Sequence, residues 1–310
     1  MIKRPEVTIV IVTYNQLPYT KQCLQLISEQ TQDVDYEIVL VDNGSTDGTV
    51  EYFKDLERLG LDYHIIYNKD NKGFAAGCNQ GIKASKGKHV CLLNNDTAPQ
   101  PKWLRSMVDL AESNEKIGIV GSLLMFPDKR LQHLGFVYPL FGEPHHPYYG
   151  AYLENLPDRL LNKLTEPHPV EGVTFACALI TDKVLHWSEH QDIIEGMSTI
   201  NKLLDEKSPD NFTLPILDTQ YINGYEDVDY NLQVRYFLGL EIWLQPMSCL
   251  IHFEHQSFKS AEAVETIKQQ TEKEGVNPQQ LSLDRLREKW WKYRYGTHVK
   301  SCPEDWTRHA

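Results

Sequence analysis

The six cysteines (Cys23, Cys78, Cys91, Cys177, Cys249, Cys302) form no C-x-x-C pair, and most sit among apolar neighbours as small buried hydrophobes do. Thiol-ligated metal and a disulfide framework are therefore not expected, and a reduced compartment is. No run approaches eighteen apolar residues, and Met1 to Pro5 leads into an apolar stretch without the charged, apolar and small-residue order of a secretion signal. The expected location is cytoplasmic, with the inner face of a membrane as its other possibility. There is no block of basic residues either: 31 Lys and Arg stand against 43 Asp and Glu, a formal net charge of −12, so a nucleic-acid partner is not expected. Glycine is missing where a dinucleotide fold needs it, since the first apolar run ends in Thr13-Tyr14-Asn15-Gln16, and this also lacks the glycine-rich basic loop of a sugar nucleotidyltransferase. The nearest approach to a phosphate-binding P-loop, Gly81 to Gly87-Lys88, is one residue too long and ends in His89 where Ser or Thr should hold magnesium.

What is present is the composition of a folded protein, 41% hydrophobic and 24% charged over 310 residues, enough for one large α/β domain or two small ones. Val7 to Val12 is a continuous β-branched run, as expected for a strand buried on both faces of a parallel sheet. Helical spacing over Tyr19 to Gln30 and a second buried strand over Tyr36 to Val41 complete a βαβ unit. The alternation continues with a helix over Thr49 to Leu59, a strand over Tyr63 to Tyr67, a helix over Ala75 to Ala84 and a strand over His89 to Leu93. A doubly wound sheet follows, with ligands expected at the carboxyl ends of the strands. From Phe126 to about Pro169 regularity fails, as in a binding loop or lid. A strand over Val173 to Ile180, an ambiguous helical region from Val184 to Asp205, a helix from near Glu226, and a helical tail from Ala261 broken at Asn277-Pro278 are expected beyond it.

Polar motifs follow the strands. Asp42-Asn43-Gly44-Ser45-Thr46-Asp47-Gly48 sets a carboxylate at a buried strand end before a glycine-permitted turn and a helix start, suited either to a base or ribose or simply to capping a helix. Asn71-Lys72-Gly73-Phe74 puts small and basic residues near a helix N-terminus, where anions are favoured, though a packing turn would look the same. Asn94-Asn95-Asp96 ends the fourth strand with an oxygen donor suited to a hard cation.

In this order and spacing, Thr13-Tyr14-Asn15, Asp42-Asn43-Gly44, Asn71-Lys72-Gly73-Phe74 and Asn94-Asn95-Asp96 resemble the donor-binding half of family 2 glycosyltransferases over about the first 125 residues. The resemblance implies a GT-A fold: a Rossmann-like, mostly parallel central sheet flanked by helices. It implies a domain over residues 1–258, with 1–125 as the nucleotide-sugar half and 126–258 as the acceptor half, and a helical extension over 259–310. It also implies an inverting transfer from a nucleoside diphosphate sugar to an acceptor hydroxyl on a glycan or lipid-linked molecule, as in polysaccharide or glycoconjugate assembly. Asp42 would then contact base or ribose, and Thr13, Tyr14, Asn15, Asn43, Gly44, Asn71, Gly73, Phe74, Asn94 and Asn95 would line the donor site. Asp96 would be the metal-binding end of the family's D-x-D, whose first position is here Asn94.

Two later motifs extend the resemblance. Gly224-Tyr225-Glu226-Asp227-Val228-Asp229 is similar to the acceptor-side acidic motif, and an inverting transfer needs a base for the attacking hydroxyl. Asp227 is assigned that role with Glu226 as the fallback, since adjacent helical residues point about 100° apart. Leu250-Ile251-His252-Phe253-Glu254-His255 resembles the family's late histidine motif, with His252 as the metal ligand and His255 as its competitor. The implied cofactor is a divalent metal, Mn²⁺ or Mg²⁺, and imidazole suits manganese better. Trp290 to Tyr295 is an aromatic and basic patch that either packs the tail helix or rests on a membrane surface. Trp103 and Trp187 read as packing residues. The rival reading is a non-catalytic nucleotide-sugar or glycan-binding protein on the same fold.

Overall fold

The structure, a computed structural model, describes residues 4–138, 143–161, 164–190, 212–221, 224–254 and 277–295. Along the chain run β1 (Val7–Thr13), α1 (Leu17–Gln30), β2 (Tyr36–Asp42), α2 (Thr49–Arg58), β3 (Tyr63–Tyr67), α3 (Phe74–Ala84), β4 (His89–Asn94), β5 (Thr97–Pro99), α4 (Trp103–Ser113) and β6 (Ile117–Met125). They are followed by β7 (Leu131–His133), α5 (Asp158–Leu161), β8 (His168–Val170), β9 (Cys177–Ile180), α6 (Asp182–Leu185), α7 (Glu226–Phe237), β10 (Glu241–His252) and α8 (Pro278–Tyr295). The strands form one sheet in the order β3-β2-β1-β4-β9-β6-β10-β5, with β7 beside β6 and β8 beside β10.

The first half is parallel, as the continuous apolar runs imply. Successive residues of β1 serve opposite layers: Ile9 and Ile11 pack with α1, α2 and α4, while Val10 packs with α3. A strand used on both faces is mostly apolar, and its buried Thr8 is hydrogen-bonded, the hydroxyl donating to Glu37 Oε1 (2.6 Å) and accepting from Gly87 N–H (2.8 Å). In α3, a Cβ on Gly81 would stand 2.1 Å from Val10 Cγ1 and one on Gly77 2.7 Å from Val12 Cγ1. Only glycine lets the helix lie this close to β1, and the approach carries the N-terminus of α3 to the end of β2, where Asn43 Nδ2 donates to Gly73 O (3.1 Å).

Parallel pairing aligns the carboxyl ends of the strands. Thr13 pairs with Asp42 and Val12 with Asn94, so the polar residues after β1, β2 and β4 share one rim. The second half mixes directions: β9 is antiparallel to β4 and β6, and β10 is parallel to β6. β10 ends beside β5 with His252 opposite Thr97, and Phe253 N–H donates to Asp96 O (3.0 Å).

Several expected elements change. The strand expected over Val173 to Ile180 is only Cys177–Ile180, because Asn231 of α7 takes the place of a strand partner: its Oδ1 accepts from Val173 N–H and its Nδ2 donates to Val173 O. The helical region expected from Val184 is a short turn, Asp182–Leu185, followed by a 3₁₀ turn at Trp187–Glu189, and the remainder to Asp205 lies largely outside the described residues. α4 and the fully buried β6 are additional elements. A helix begins at Pro278, as the Asn277-Pro278 signal predicts; the segment from Ala261 to residue 276 lies outside the described residues. Trp290 is buried against Tyr236 and Phe237, which removes it from a membrane-facing patch, and the side chains of residues 291–295 are not among those described. Trp103 is fully buried, and Trp187 packs edge-on to Phe212. Among the described residues no helix is long and apolar enough to cross a membrane.

Candidate active site

The loops after β1 and β2 are stitched to each other. Asn15 and Gln16 both adopt left-handed conformations (φ 57° and 65°), which lets Asn15 N–H donate to Ser45 Oγ (2.8 Å) and Asn15 Oδ1 accept from Thr46 N–H (2.8 Å). Asp47 accepts from Leu17 N–H (2.8 Å) and from the Thr49 hydroxyl (2.6 Å), closing the first turns of α1 and α2. Asp42 is fully buried: its Oδ2 accepts from Gly44 and Ser45 N–H (3.0 and 3.1 Å), and Thr13 Oγ1 lies 3.4 Å from its Oδ1. Its role in this conformation is to shape the Gly44 turn, where φ is +82°. Asn43 is tied to Gly73 and to Asn68, whose Nδ2 donates to Asn43 Oδ1 (2.9 Å), and Asn71 Oδ1 accepts from Gly73 N–H (2.9 Å). Tyr14 and Phe74 flank these loops, half-buried.

Asn94, Asp96 and His252 form the polar centre of the rim. His252 Nε2 lies 3.2 Å from Asp96 Oδ1 and 3.4 Å from Asn94 Nδ2. On the other side of the ring, Nδ1 lies 2.7 Å from Gln132 Oε1. Asn95, between the two site residues, faces elsewhere: it is buried with Nδ2 donating to Thr20 Oγ1 on α1 (2.9 Å), so the structure does not bring it to the donor rim. His255 lies outside the described residues.

The two carboxyls at the start of α7 sit in different surroundings. Asp227 accepts from Val228 N–H (2.8 Å), Phe175 N–H (3.4 Å) and the Thr174 hydroxyl. Glu226 accepts from Gly224 N–H (3.1 Å). Burial, together with the neighbouring Asp227, pushes the Glu226 carboxyl up to about 8. Burial raises Asp227 as well, but its three donors favour the ionised form. The two carboxyls titrate as a coupled pair, in which burial disfavours two charges side by side.

A pair of imidazoles is marked by no motif in the sequence. His133 and His146 stand Nδ1 to Nδ1 at 2.7 Å, and His133 Nε2 accepts from Thr174 N–H (3.3 Å). Burial holds both rings neutral, His133 well below the ordinary imidazole range and His146 at about 4. Their order of protons is fixed: with Nε2 accepting, His133 carries its proton on Nδ1 and donates it to His146. Gln132 and His133 are neighbours on β7, one against the His252 ring and the other against the Thr174 segment that holds Asp227. Both fall where regularity fails in the sequence, and the only local signal was the imidazole content of that loop.

The family model of glycosyl transferase family 2 matches residues 8–186. The chain belongs to that family. Among its relatives is an uncharacterized protein, y4gI, of Sinorhizobium fredii, 28% identical over 257 residues, which are 82% of this chain and 25% of that protein. An uncharacterized glycosyltransferase of Haemophilus influenzae is 31% identical over 120 residues, 39% of this chain and 37% of its own length. The family 2 chain thus spans between a quarter and two fifths of these relatives. The crystal structure of GalNAc-T7 with UDP, GalNAc and Mn²⁺ superposes with a TM-score of 0.63 at 15% identity, covering 95% of this chain and 49% of that one. At that identity the likeness is one of fold, and the architecture is the expected GT-A α/β sheet with a C-terminal helix.

Proposed function

We propose that this family 2 glycosyltransferase domain transfers a sugar from a nucleoside diphosphate donor to an acceptor hydroxyl with inversion, assisted by a divalent cation. The observation that carries the reading is the facing of Asp96 Oδ1 and His252 Nε2 at 3.2 Å. With its one neutral-state proton directed at Gln132, the His252 ring turns a lone pair toward a carboxylate, so two acceptors face each other. A second proton on the ring or a cation between the groups satisfies both. No cluster of three acidic, His or Cys ligands occurs among the described residues, so the protein would supply two strong ligands, with Asn94 at hand and donor oxygens completing the set. One carboxylate and one imidazole suit manganese better than magnesium. That GalNAc-T7 was solved with UDP, GalNAc and Mn²⁺ is consistent with this assignment.

Bound there, the cation would supply charge neutralisation for the departing diphosphate. The loops of Thr13 to Asn15 and Asp42 to Gly44 would hold the nucleoside, with Asn71, Gly73 and Phe74 closing that side. Asp227, ionised and fixed by its three donors, would take the proton of the acceptor hydroxyl as it attacks the anomeric carbon. Glu226 would keep its proton and lend Asp227 its orientation through the Gly224 turn.

Thermal stability with UDP, TDP, GDP, ADP and CMP, each with and without Mn²⁺, tests the donor site. One diphosphate at 100 times its dissociation constant should stabilise the protein by about 2.7 kcal/mol. Mn²⁺ should tighten that binding in the wild type and not in Asp96→Asn. A response to nucleotide with no metal dependence and no sugar transfer would favour the non-catalytic binding protein, a reading for which Asn94 in the first acidic position is the specific support.

A further inference from the structure

We propose that Gln132 is a positioning residue that fixes the tautomer of His252, and through it aims the Nε2 lone pair at Asp96. Its carboxamide can sit only one way round. Nε2 of Gln132 lies 3.3 Å from His252 O and 3.3 Å from Glu254 Oε2, both of which only accept. The amide nitrogen must therefore face them, and the amide oxygen, 2.7 Å from His252 Nδ1, must accept from that ring nitrogen. A neutral imidazole with its proton on Nδ1 has none on Nε2. The orientation of Gln132 is itself secured, because the same Glu254 oxygen also accepts from the Tyr149 hydroxyl (2.7 Å) and Gln132 is almost fully buried on the three-residue strand β7.

A ring left to choose would favour the other arrangement. With Asp96 Oδ1 at 3.2 Å, a proton on Nε2 would bond to the carboxylate and close the gap between them. Gln132 opposes this local preference, keeping both groups as acceptors that face a common point. Partners on the far side of a ligating imidazole are worth about 10–100-fold in metal affinity where they have been removed. The part of the proposal that concerns the cation rests on the metal-assisted reading above; the tautomer does not.

Long-range ¹H–¹⁵N correlation of ¹⁵N-histidine-labelled protein reads the tautomer directly, with the His252 ring identified by its loss in His252→Ala. The wild type is expected to show a protonated Nδ1 and an unprotonated Nε2. Gln132→Met, which keeps the length of the side chain without an acceptor, should move the proton to Nε2. Mn²⁺ affinity, read by electron paramagnetic resonance with UDP and with GDP present, should fall by about 10–100-fold in that variant. The wild-type spectrum decides the matter alone should Gln132→Met fail to fold, because a neutral ring with its proton on Nε2 and none on Nδ1 would contradict the assigned orientation of Gln132. An unchanged tautomer in folded Gln132→Met, or a neutral wild-type ring with its proton on Nε2, would overturn the proposal. Absence of Mn²⁺ binding in the wild type would instead remove the metal-assisted reading while leaving the tautomer to be judged by the spectra.

Discussion

Glu226 and Asp227 are adjacent and chemically alike, yet the residues around them give them different surroundings. Three donors gather on Asp227 from Thr174, Phe175 and Val228, and one on Glu226 from Gly224. Replacing Asp227 by Asn keeps the volume and most of the hydrogen bonding but removes the proposed proton acceptor. Turnover should fall by roughly 10²–10⁴-fold while nucleotide affinity, measured by titration calorimetry, stays within about twofold. An equal loss in both would mean that Asp227 holds the donor or the fold. The motif containing these residues was legible because consecutive acids at a helix start are local in sequence. Gln132, His133 and Thr174 were not, because an amide, an imidazole and a hydroxyl acquire meaning only from the partner they meet.

At the scale of elements, α7 carries the carboxyl pair and α8 anchors it. Asp229, fully buried one half-turn beyond Asp227, accepts from Lys289 Nζ (2.9 Å) and Trp290 Nε1 (2.7 Å) of α8 and from Gln233 Nε2 (2.7 Å). A second link joins Arg285 of α8 to Asp218 (2.8 Å), and a third runs from Arg287 through Glu143 to the Tyr225 hydroxyl at the cap of α7. Removing one partner of a buried pair leaves the other charge without compensation. Lys289→Met should lower stability to urea unfolding by about 3–5 kcal/mol, and adding Asp229→Asn should recover a large part of it. A single-variant loss under about 1 kcal/mol would show that Trp290 and Gln233 suffice for Asp229. The helix start at Pro278 was readable from Asn277-Pro278, but its docking partner was not, since the three acids at the start of α7 look alike until the fold buries one of them under α8.

For the whole molecule, the raised Glu226 carboxyl links stability to pH. Between the ordinary carboxylate value of 4.5 and about 8, the folded protein keeps a proton on Glu226 that the unfolded chain has released. This contribution is complete below 4.5, declines as pH rises, and is gone above 8. His146 acts in the opposite sense: its folded value of about 4 means stability present above 6.5 is lost as pH falls toward 4. The two windows overlap, so the difference between wild type and Glu226→Gln isolates the first. The variant should gain stability relative to wild type as pH rises from 5 to 8.5, measured by urea unfolding at each pH. A difference independent of pH would mean that Glu226 is not raised.

The sequence by itself determined the parallel half of the sheet. Strands buried on both faces must be predominantly apolar, and the turns that follow them are closed by their own neighbours, as Asp42 closes on Gly44 and Ser45 and Asp47 on Thr49. These are short-range constraints, and they left the rim of Thr13, Asp42 and Asn94 legible in order and spacing. Only the tertiary structure decided the antiparallel insertion of β9 between β4 and β6, the burial of Trp290, the turning of Asn95 onto α1, and which nitrogen of His252 faces Asp96. Each depends on contacts between residues far apart in the chain, where the same side chain bonds, packs or ligates according to what the fold sets opposite it.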